Sequence, residues 1–230
     1  MKKSLICSLM ILTYFPALQA TLGERLTFAK EFFKASDGAG TMIECSHAVG
    51  QELIKYLMQL QRDNPERSLR VLQLGAGTGS ITEVIAQQLR TIDHLDAVEK
   101  SDSMCAILHQ KFDDKPNVSI RCLSIIDWCP QETYDLIISM LPFTLFDVDM
   151  MSKVIEHLKK LIKPNGYISY VAYLGGSKLK KLFSWGNKKQ EHEKKMSILK
   201  NFRHSYKIDK TIVWKNVPPI RVYHLQFSKA

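Results

Sequence analysis

Short apolar runs alternate with stretches of helical periodicity through the middle of the chain, and this order predicts an α/β fold. The run Val71–Leu74 is stopped by glycine and indicates a buried parallel strand. The apolar residues that follow recur on one face of a helix: Ile81, Val84, Ile85 and Leu89. A second run, Leu95–Val98, then predicts the next strand. Strand, helix and strand in this order are typical of one βαβ unit of a parallel sheet.

The same alternation continues towards the end of the chain. It predicts further strands over residues 118–126, 134–139, 167–174, 208–214 and 220–227, with helices over residues 104–112 and 151–161 between them. No helical pattern separates the last two strands, which therefore predict an antiparallel hairpin. The complete prediction is a mostly parallel seven-stranded sheet with an antiparallel C-terminal hairpin and helices on both faces.

A glycine-rich turn joins the first strand to its helix. Gly75, Gly77 and Gly79 alternate, so the backbone can turn tightly and approach a ligand where a Cβ would collide. Ser80 has capping-box spacing to an acidic residue three positions later, which predicts that Ser80 caps the helix. Glu99 ends the second strand about twenty residues after the loop, where a carboxylate can accept both hydroxyls of a ribose. A strand-to-helix turn without a ligand is the alternative.

The G-x-G-x-G spacing of this loop resembles S-adenosylmethionine-dependent methyltransferases of the Rossmann-like class. The loop lacks the Lys-Ser/Thr pair of a phosphate-binding P-loop, and its spacing is not the G-x-G-x-x-G of dinucleotide binders. The resemblance implies that S-adenosylmethionine is the cofactor. It implies that the loop residues Gly75, Gly77, Thr78 and Gly79 hold the methionine end, and that Glu99 holds the ribose.

The resemblance also suggests residues for the adenine and for the methyl acceptor. Asp127 follows the third strand, where this class lines the adenine; a surface aspartate that caps a loop is the alternative. Substrate contacts are expected beyond the fourth strand and at the end of the fifth, at Met140, Pro142, Phe143 and Tyr173. Phe143 and Tyr173 can hold a methylated cation against their ring faces, or belong to the core.

Three further stretches resemble the bacterial phospholipid N-methyltransferases: Gly40–Ile43, Met140–Phe143 and Trp214–Pro219. The resemblance extends from about Phe28 to Gln226 and implies stepwise methylation of phosphatidylethanolamine towards phosphatidylcholine at the inner membrane surface. Glu44-Cys45-Ser46 departs from the Pro-Ser-Ser that these enzymes usually carry, which bears on the substrate more than on the cofactor.

Other acceptors stay open. An rRNA adenine N6-methyltransferase is the second interpretation, but that group carries an asparagine where this chain has Met140, and a thioether cannot replace an amide that donates and accepts. A small-molecule methyltransferase and a binding protein without turnover are further alternatives. The catalytic base is not assigned: Tyr170, Tyr173 and Asp127 are candidates, and bulk water at the membrane edge is another.

Charge and cysteine usage bear on partners and compartment. The formal net charge of +9 is unevenly distributed, because residues 151–230 carry +14 and residues 1–150 carry −5. This asymmetry favours an anionic partner, and the basic stretch 177–203, with bulky apolar residues among its lysines, favours a membrane surface over nucleic acid. A solvated helical insertion whose lysines bind no partner is the alternative. The five cysteines show no metal-ligand spacing, which fits a reduced compartment and packing roles. The oligomeric state is not indicated.

The beginning of the chain admits two interpretations. Residues 1–20 carry two lysines, an apolar run and small residues, which are typical of a secretory signal peptide or of an uncleaved segment that contacts a membrane. S-adenosylmethionine is a cytosolic metabolite, so the second interpretation is preferred. The predicted organisation is then this segment, N-terminal helices over residues 21–62 and a methyltransferase domain over residues 63–230. The expected location is cytoplasmic and peripheral to the inner membrane.

Overall fold

The structure, a computed structural model of the chain, describes residues 45–173, 187–216 and 219–228. The predictions for residues 1–44, among them the apolar segment and the Gly40–Ile43 stretch, lie outside the described residues. Residues 177–186 of the basic stretch also lie outside them, while residues 187–203 are described.

Six helices and seven strands alternate through the described residues. The helices are α1 (His47–Leu53), α2 (Lys55–Asp63), α3 (Ser80–Gln88), α4 (Asp102–Phe112), α5 (Val148–Leu161) and α6 (Asn187–His204). The strands are β1 (Arg70–Leu74), β2 (His94–Glu99), β3 (Val118–Cys122), β4 (Tyr134–Ser139), β5 (Ile162–Tyr173), β6 (Lys207–Val213) and β7 (Ile220–Gln226). Short 3₁₀ turns lie at Ile125–Asp127 and Phe143–Leu145.

The seven strands form one sheet in the order β3-β2-β1-β4-β5-β7-β6. The first five strands of this order are parallel, and β7 runs antiparallel to both β5 and β6. The predicted fold class is therefore confirmed. The chain leaves β1 towards β2 on one side and returns through β4 on the other, so the carboxyl ends of β1 and β4 flank the crevice where α/β sheets bind ligands.

Helices cover both faces of the sheet. On one face, apolar side chains of α1 to α4 pack against β1 and β2, with Leu53, Ile85 and Leu108 fully buried. On the other face, α5 and α6 bury Leu158 and Phe202. Helices α1 and α2 belong to the hydrophobic core on the first of these faces. Packing against the sheet removes their apolar side chains from water, which an isolated helix cannot do.

Three local predictions were wrong. Ser80 does not cap α3: the N-cap residue is Gly79 in the left-handed conformation, and no side chain bonds the free amides there. The third strand ends at Cys122, not at residue 126, because the chain turns into the 3₁₀ helix where Ser124 accepts from the Ile126 amide. The fifth strand begins at Ile162, directly after α5, and not at residue 167, because Ile162 already pairs with Tyr134 before the register shifts.

A buried carboxylate holds three segments together at the amino edge of the sheet. Asp135 accepts hydrogen bonds from Arg67 Nη1 at 2.6 Å, the Arg70 amide at 2.8 Å and Lys163 Nζ at 2.8 Å. Burial acts to raise the pKa of this carboxyl, yet the hydrogen bonds from Arg70, Lys163 and Arg67 bring it below the ordinary 3.8. The stabilisation is complete above that ordinary value and is lost as the pH falls through the lower pKa of the folded state.

We expect Asp135→Asn to lower the free energy of unfolding by about 2 kcal/mol at pH 7, because it removes the buried counter-charge of the partly exposed Arg67 and Lys163. The difference from the unsubstituted protein should shrink as the pH falls below about 4, where the Asp135 carboxyl of the unfolded chain takes up a proton, and vanish once the folded protein takes it up as well. Urea unfolding at pH 7 and pH 3 measures both effects. The exposed Asp114→Asn is the matched control, and an equal loss in both variants at pH 7 would contradict the prediction.

Candidate functional site

The glycine loop between β1 and α3 leaves the sheet at its carboxyl edge. Gly75, Gly77 and Gly79 all have positive φ, at 67°, 58° and 92°. The loop is fixed to the neighbouring strand, because the Gly75 amide donates to the Val98 carbonyl oxygen at 2.9 Å. Only glycine adopts the left-handed conformation at low cost, and three of the five loop residues have it. The backbone conformation therefore explains the alternating glycines.

Two of these glycines meet different surroundings. A Cβ at Gly79 would lie 2.7 Å from a ring carbon of Phe112 and 3.1 Å from Leu108, so this glycine allows α3 and α4 to approach each other. Among the described residues, a Cβ at Gly77 would meet nothing within 4 Å. Gly77 therefore borders open space, so a ligand can approach the loop backbone at this position.

The carboxylate of Glu99 is bound by backbone amides. Its Oε2 accepts from the Gly77 amide at 2.9 Å, and its Oε1 accepts from the amides of Lys100 at 2.9 Å and Ser101 at 3.0 Å. The residue is 9% exposed. A carboxylate offers about four acceptor positions, so these three bonds leave about one for a ligand. Glu99 thus connects the loop to the start of α4, and its predicted grip on both ribose hydroxyls stays a prediction.

Gln73, close to the loop, is a candidate site residue that the sequence analysis missed. Its side chain is fully buried on β1, two residues before the loop, and its amide nitrogen and oxygen find no hydrogen-bond partner among the described residues. Thr82, in the first turn of α3, is equally buried, and its hydroxyl has no hydrogen-bond partner in the described part of the chain. Each such group costs about 1–3 kcal/mol, a penalty that a polar ligand can remove. The available signal was a glutamine inside an otherwise apolar strand.

The residues predicted to contact the adenine and the methyl acceptor range from exposed to buried. Asp127 ends the 3₁₀ turn after β3 and is exposed. Met140 is 6% exposed, and its amide donates to the Leu74 carbonyl oxygen at 2.9 Å, which attaches the segment after β4 to the end of β1. Pro142 is half-buried in the same segment. Tyr173 ends β5, and its side chain lies outside the described part of the chain.

Two aromatic candidates lie within the second core. Phe143 is 4% exposed and packs edge-on against Tyr170, with ring centres 5.6 Å apart. Tyr170 is 2% exposed and stacks on Tyr223. Burial raises the pKa of Tyr170 above its ordinary value, so this phenol keeps its proton at neutral pH and is a poor general base. The contact of Phe143 with a substrate stays a prediction.

The turn between β6 and β7 lies at the same edge as the loop. Ile220 pairs with Tyr173, the last residue of β5, so the turn stands beyond the carboxyl end of the parallel strands. There Asn216, 3% exposed, accepts a hydrogen bond from the Ser46 amide at 2.9 Å, across 170 residues of sequence. Trp214 is 71% exposed. Residues Trp214–Asn216 of the stretch that ends at Pro219 therefore meet the start of α1 at this edge.

Comparison with known proteins interprets this arrangement. Residues 71–166, from β1 to the start of β5, match the family model described as a methyltransferase domain. This region is a class I S-adenosylmethionine-dependent methyltransferase domain. The loop and Glu99 lie within it, which confirms the coarser prediction of family and cofactor. Phospholipid methylation in particular is not established by this match.

The relatives of the methyltransferase domain have different acceptors. The chain is 28% identical over 142 residues to a malonyl-[acyl-carrier protein] O-methyltransferase from Bacillus cereus, and this match covers 61% of the chain and 51% of the relative. It is 24% identical over 151 residues to an ornithine lipid N-methyltransferase from Singulisphaera acidiphila, covering 63% of the chain and 75% of the relative. The chain thus spans about half the length of the first of these relatives.

Solved structures show the same fold. Magnesium protoporphyrin IX methyltransferase from Synechocystis, solved with bound S-adenosylhomocysteine, superposes with a TM-score of 0.59 at 17% identity, covering 88% of this chain and 95% of that one. The N-methyltransferase NodS from Bradyrhizobium japonicum gives a TM-score of 0.56 at 13% identity, covering 80% and 98%. At these identities the likeness concerns the fold alone.

The residues present fit the cofactor. The open space at Gly77 leaves room at the loop, the unbonded amide of Gln73 can both donate and accept, and Glu99 keeps about one acceptor position for a hydroxyl. Across residues 45–173, 187–216 and 219–228, no helix has the length and apolar character needed to cross a bilayer.

Proposed function

We propose that this chain transfers a methyl group from S-adenosylmethionine to the amine of a phospholipid headgroup, converting phosphatidylethanolamine towards phosphatidylcholine at the cytoplasmic face of a membrane. The observation that carries the proposal is the exposed Trp214 at the carboxyl edge of the sheet, the edge at which the cofactor loop lies. A lipid headgroup reaches a methyl donor only if the protein presents that edge to the membrane.

The side chains around Trp214 suit a membrane interface. An indole that is 71% exposed costs free energy in water, whereas the headgroup region accommodates both its apolar ring and its N–H group. Lys215 follows it and is exposed. The similarity to the ornithine lipid N-methyltransferase, of which 75% is covered, supports a lipid acceptor independently of this geometry.

Helix α6 adds positive charge. Its apolar residues Leu199 and Phe202 are buried in the core, while Lys194 and Lys200 point to solvent. Lys195 is bound to Glu191 at 2.6 Å, so its charge is balanced within the helix. Each unbalanced lysine near an anionic bilayer contributes about 1 kcal/mol to binding.

The chemistry requires placement and a neutral amine. The cofactor supplies a methyl group activated by its sulfonium charge. The chain holds that end with the loop of Gly75, Gly77 and Gly79 beside the crevice between β1 and β4, which raises the rate through orientation. An ammonium has no lone pair, so the amine must first lose a proton. Tyr170 is protonated at neutral pH, which leaves Asp127, Tyr173 and solvent as acceptors for that proton.

A carboxylate acceptor is the second candidate. It is favoured by the similarity to malonyl-[acyl-carrier protein] O-methyltransferases, one of which is 30% identical over 113 residues. A carboxylate is already deprotonated at neutral pH, so O-methylation requires no general base in the chain.

The test supplies the purified full chain with S-adenosylmethionine labelled in its methyl group, together with phosphatidylethanolamine vesicles, malonyl-acyl-carrier protein or ribosomal RNA in separate reactions. We expect label in the vesicle lipid. Label in the carrier-bound malonate or in the RNA, with none in lipid, would establish a different acceptor and overturn the proposal.

Trp214→Ala is expected to weaken binding to vesicles of phosphatidylethanolamine and phosphatidylglycerol by about 10-fold, because burial of a large apolar side chain contributes about 1.5–3 kcal/mol. Transfer to vesicle lipid should fall in proportion, whereas S-adenosylhomocysteine affinity should not change. Vesicle co-sedimentation and calorimetry measure the two quantities. Ile92→Ala is the matched control, because Ile92 is 47% exposed and precedes β2 at the opposite edge of the sheet. Equal effects of the two substitutions would contradict a membrane role for Trp214.

A further inference from the structure

Two cysteines lie directly beside the backbone of Glu99. Cys122 is the last residue of β3 and pairs with Glu99 across the parallel strands. Cys105, in the first turns of α4, donates its thiol hydrogen to the Glu99 carbonyl oxygen at 3.4 Å. Cys122 Sγ also lies 3.6 Å from Nε2 of His109, which follows Cys105 by one helical turn on the same face of α4. The fold therefore brings together two cysteines 17 residues apart, to which the sequence assigned only packing roles.

Cys122 faces a histidine whose orientation is fixed by an acidic residue. Cys122 is exposed, and its Sγ lies 3.6 Å from His109 Nε2, while His109 Nδ1 lies 2.7 Å from Asp113 Oδ1. A carboxylate only accepts hydrogen bonds, so Nδ1 carries the hydrogen and Nε2 is the acceptor that faces the thiol. The imidazole can take the thiol proton, and the thiolate is the form of cysteine that attacks an electrophile.

Cys105 has the opposite environment. It is 3% exposed, and burial together with the neighbouring Cys122 raises its pKa to about 12. An oxidant in solution therefore reaches Cys122 first. Within residues 45–173, 187–216 and 219–228, no three histidine, cysteine or acidic side chains are arranged to hold a metal ion. The pair is thus suited to oxidation and not to metal binding.

We propose that Cys122 is a peroxide-reactive cysteine and Cys105 its resolving partner, so that oxidation closes a disulfide beside Glu99 and weakens cofactor binding. The Cys122 sulfur attacks a hydroperoxide: an S–O bond forms, the O–O bond breaks, and the departing oxygen leaves as alcohol or water with the proton held by His109. The Cys105 sulfur then displaces hydroxide from the sulfenic acid, which leaves as water with the Cys105 proton. The two thiols lose two electrons in total, and the peroxide gains them.

The disulfide acts on the cofactor site through α4. Bonding draws the sulfurs to about 2 Å from each other and removes the hydrogen that Cys105 donates to the Glu99 carbonyl. The start of α4 also supplies the Lys100 and Ser101 amides that bind the Glu99 carboxylate. A shift of α4 therefore changes the position of Glu99 and of the loop bonded to it. This inference rests on S-adenosylmethionine as the cofactor and is independent of the methyl acceptor.

The test uses the purified full chain, reduced, oxidised with hydrogen peroxide and then re-reduced with dithiothreitol. Mass spectrometry of proteolytic peptides should find Cys105 linked to Cys122 in the oxidised sample alone. Calorimetry should show the dissociation constant for S-adenosylhomocysteine raised at least 10-fold by oxidation and restored by dithiothreitol.

Three variants separate this mechanism from general oxidative damage. Cys122→Ser should abolish the linked peptide and the change in affinity. Cys129→Ser removes another exposed cysteine and should respond to peroxide as the unsubstituted protein does. His109→Asn should slow disulfide formation about 10-fold and leave the affinity of the reduced protein unchanged.

Absence of the linked peptide overturns the proposal, and so does a linked protein that retains its affinity for S-adenosylhomocysteine. A reduced protein that binds no S-adenosylhomocysteine overturns it as well, together with the cofactor assignment. Failure of the phospholipid assay does not affect it, because neither measurement uses a methyl acceptor.

Discussion

Glu99→Gln is expected to weaken S-adenosylhomocysteine binding by about 100-fold, equivalent to about 2.7 kcal/mol. The two carboxylate oxygens accept hydrogen bonds from the backbone amides of Gly77, Lys100 and Ser101. A glutamine side chain has only one oxygen, so its NH₂ group must face at least one of these amides. Two facing donors repel, so the loop or the start of α4 must move. The remaining acceptor position for a ligand hydroxyl is affected by the same change.

Titration calorimetry with S-adenosylhomocysteine measures the loss, and circular dichroism checks that the variant is folded. Glu83→Gln is the matched control, because Glu83 lies on the exposed side of α3 and carries the same charge change. When both variants receive the same labelled S-adenosylmethionine and the same acceptor, methyl transfer should be lost in Glu99→Gln and retained in Glu83→Gln. An unchanged affinity in this variant would contradict the role of Glu99 in holding the loop.

The second large effect is expected from Gly79→Ala, which should destabilise the protein by about 3 kcal/mol. The left-handed conformation, with φ at 92°, costs an alanine about 1–2 kcal/mol. Its Cβ would also overlap the Phe112 ring at 2.7 Å, and such overpacking adds about 1–3 kcal/mol. Phe112 is 3% exposed in the core and cannot move aside freely. Urea unfolding monitored by circular dichroism measures the loss.

Gly77→Ala provides the contrast. The backbone strain is similar at a φ of 58°, but no atom of the part of the chain that the structure describes lies within 4 Å of the new Cβ. About 1–2 kcal/mol of destabilisation is therefore expected. The new methyl group would instead project into the open space where the cofactor approaches, and S-adenosylhomocysteine affinity should fall at least 10-fold. If the two variants lost equal stability, the close packing of Gly79 against α4 would not be the reason for that glycine.

The sequence predicted the order and kind of the elements well. Tyr134–Ser139 is a strand with the predicted bounds, because a fully buried parallel strand requires a continuous apolar run that periodicity reveals. Local chemistry was less reliable. Ser80 had the spacing of a cap, but the loop enters α3 through a left-handed Gly79, so the hydroxyl has no cap geometry. The polar Gln73 was overlooked because a single residue hardly changes the hydrophobic pattern of a strand.

Sequence by itself determined the features that depend on neighbouring residues. The alternating glycines specify a backbone conformation, the apolar runs specify buried strands, and the acidic end of β2 follows the loop at a fixed interval. The tertiary structure alone decided which distant groups meet: Asn216 with the Ser46 amide, and Cys122 with Cys105 beside Glu99. Such contacts depend on strand register and helix packing, which arise from the whole core and leave no periodic trace along the chain.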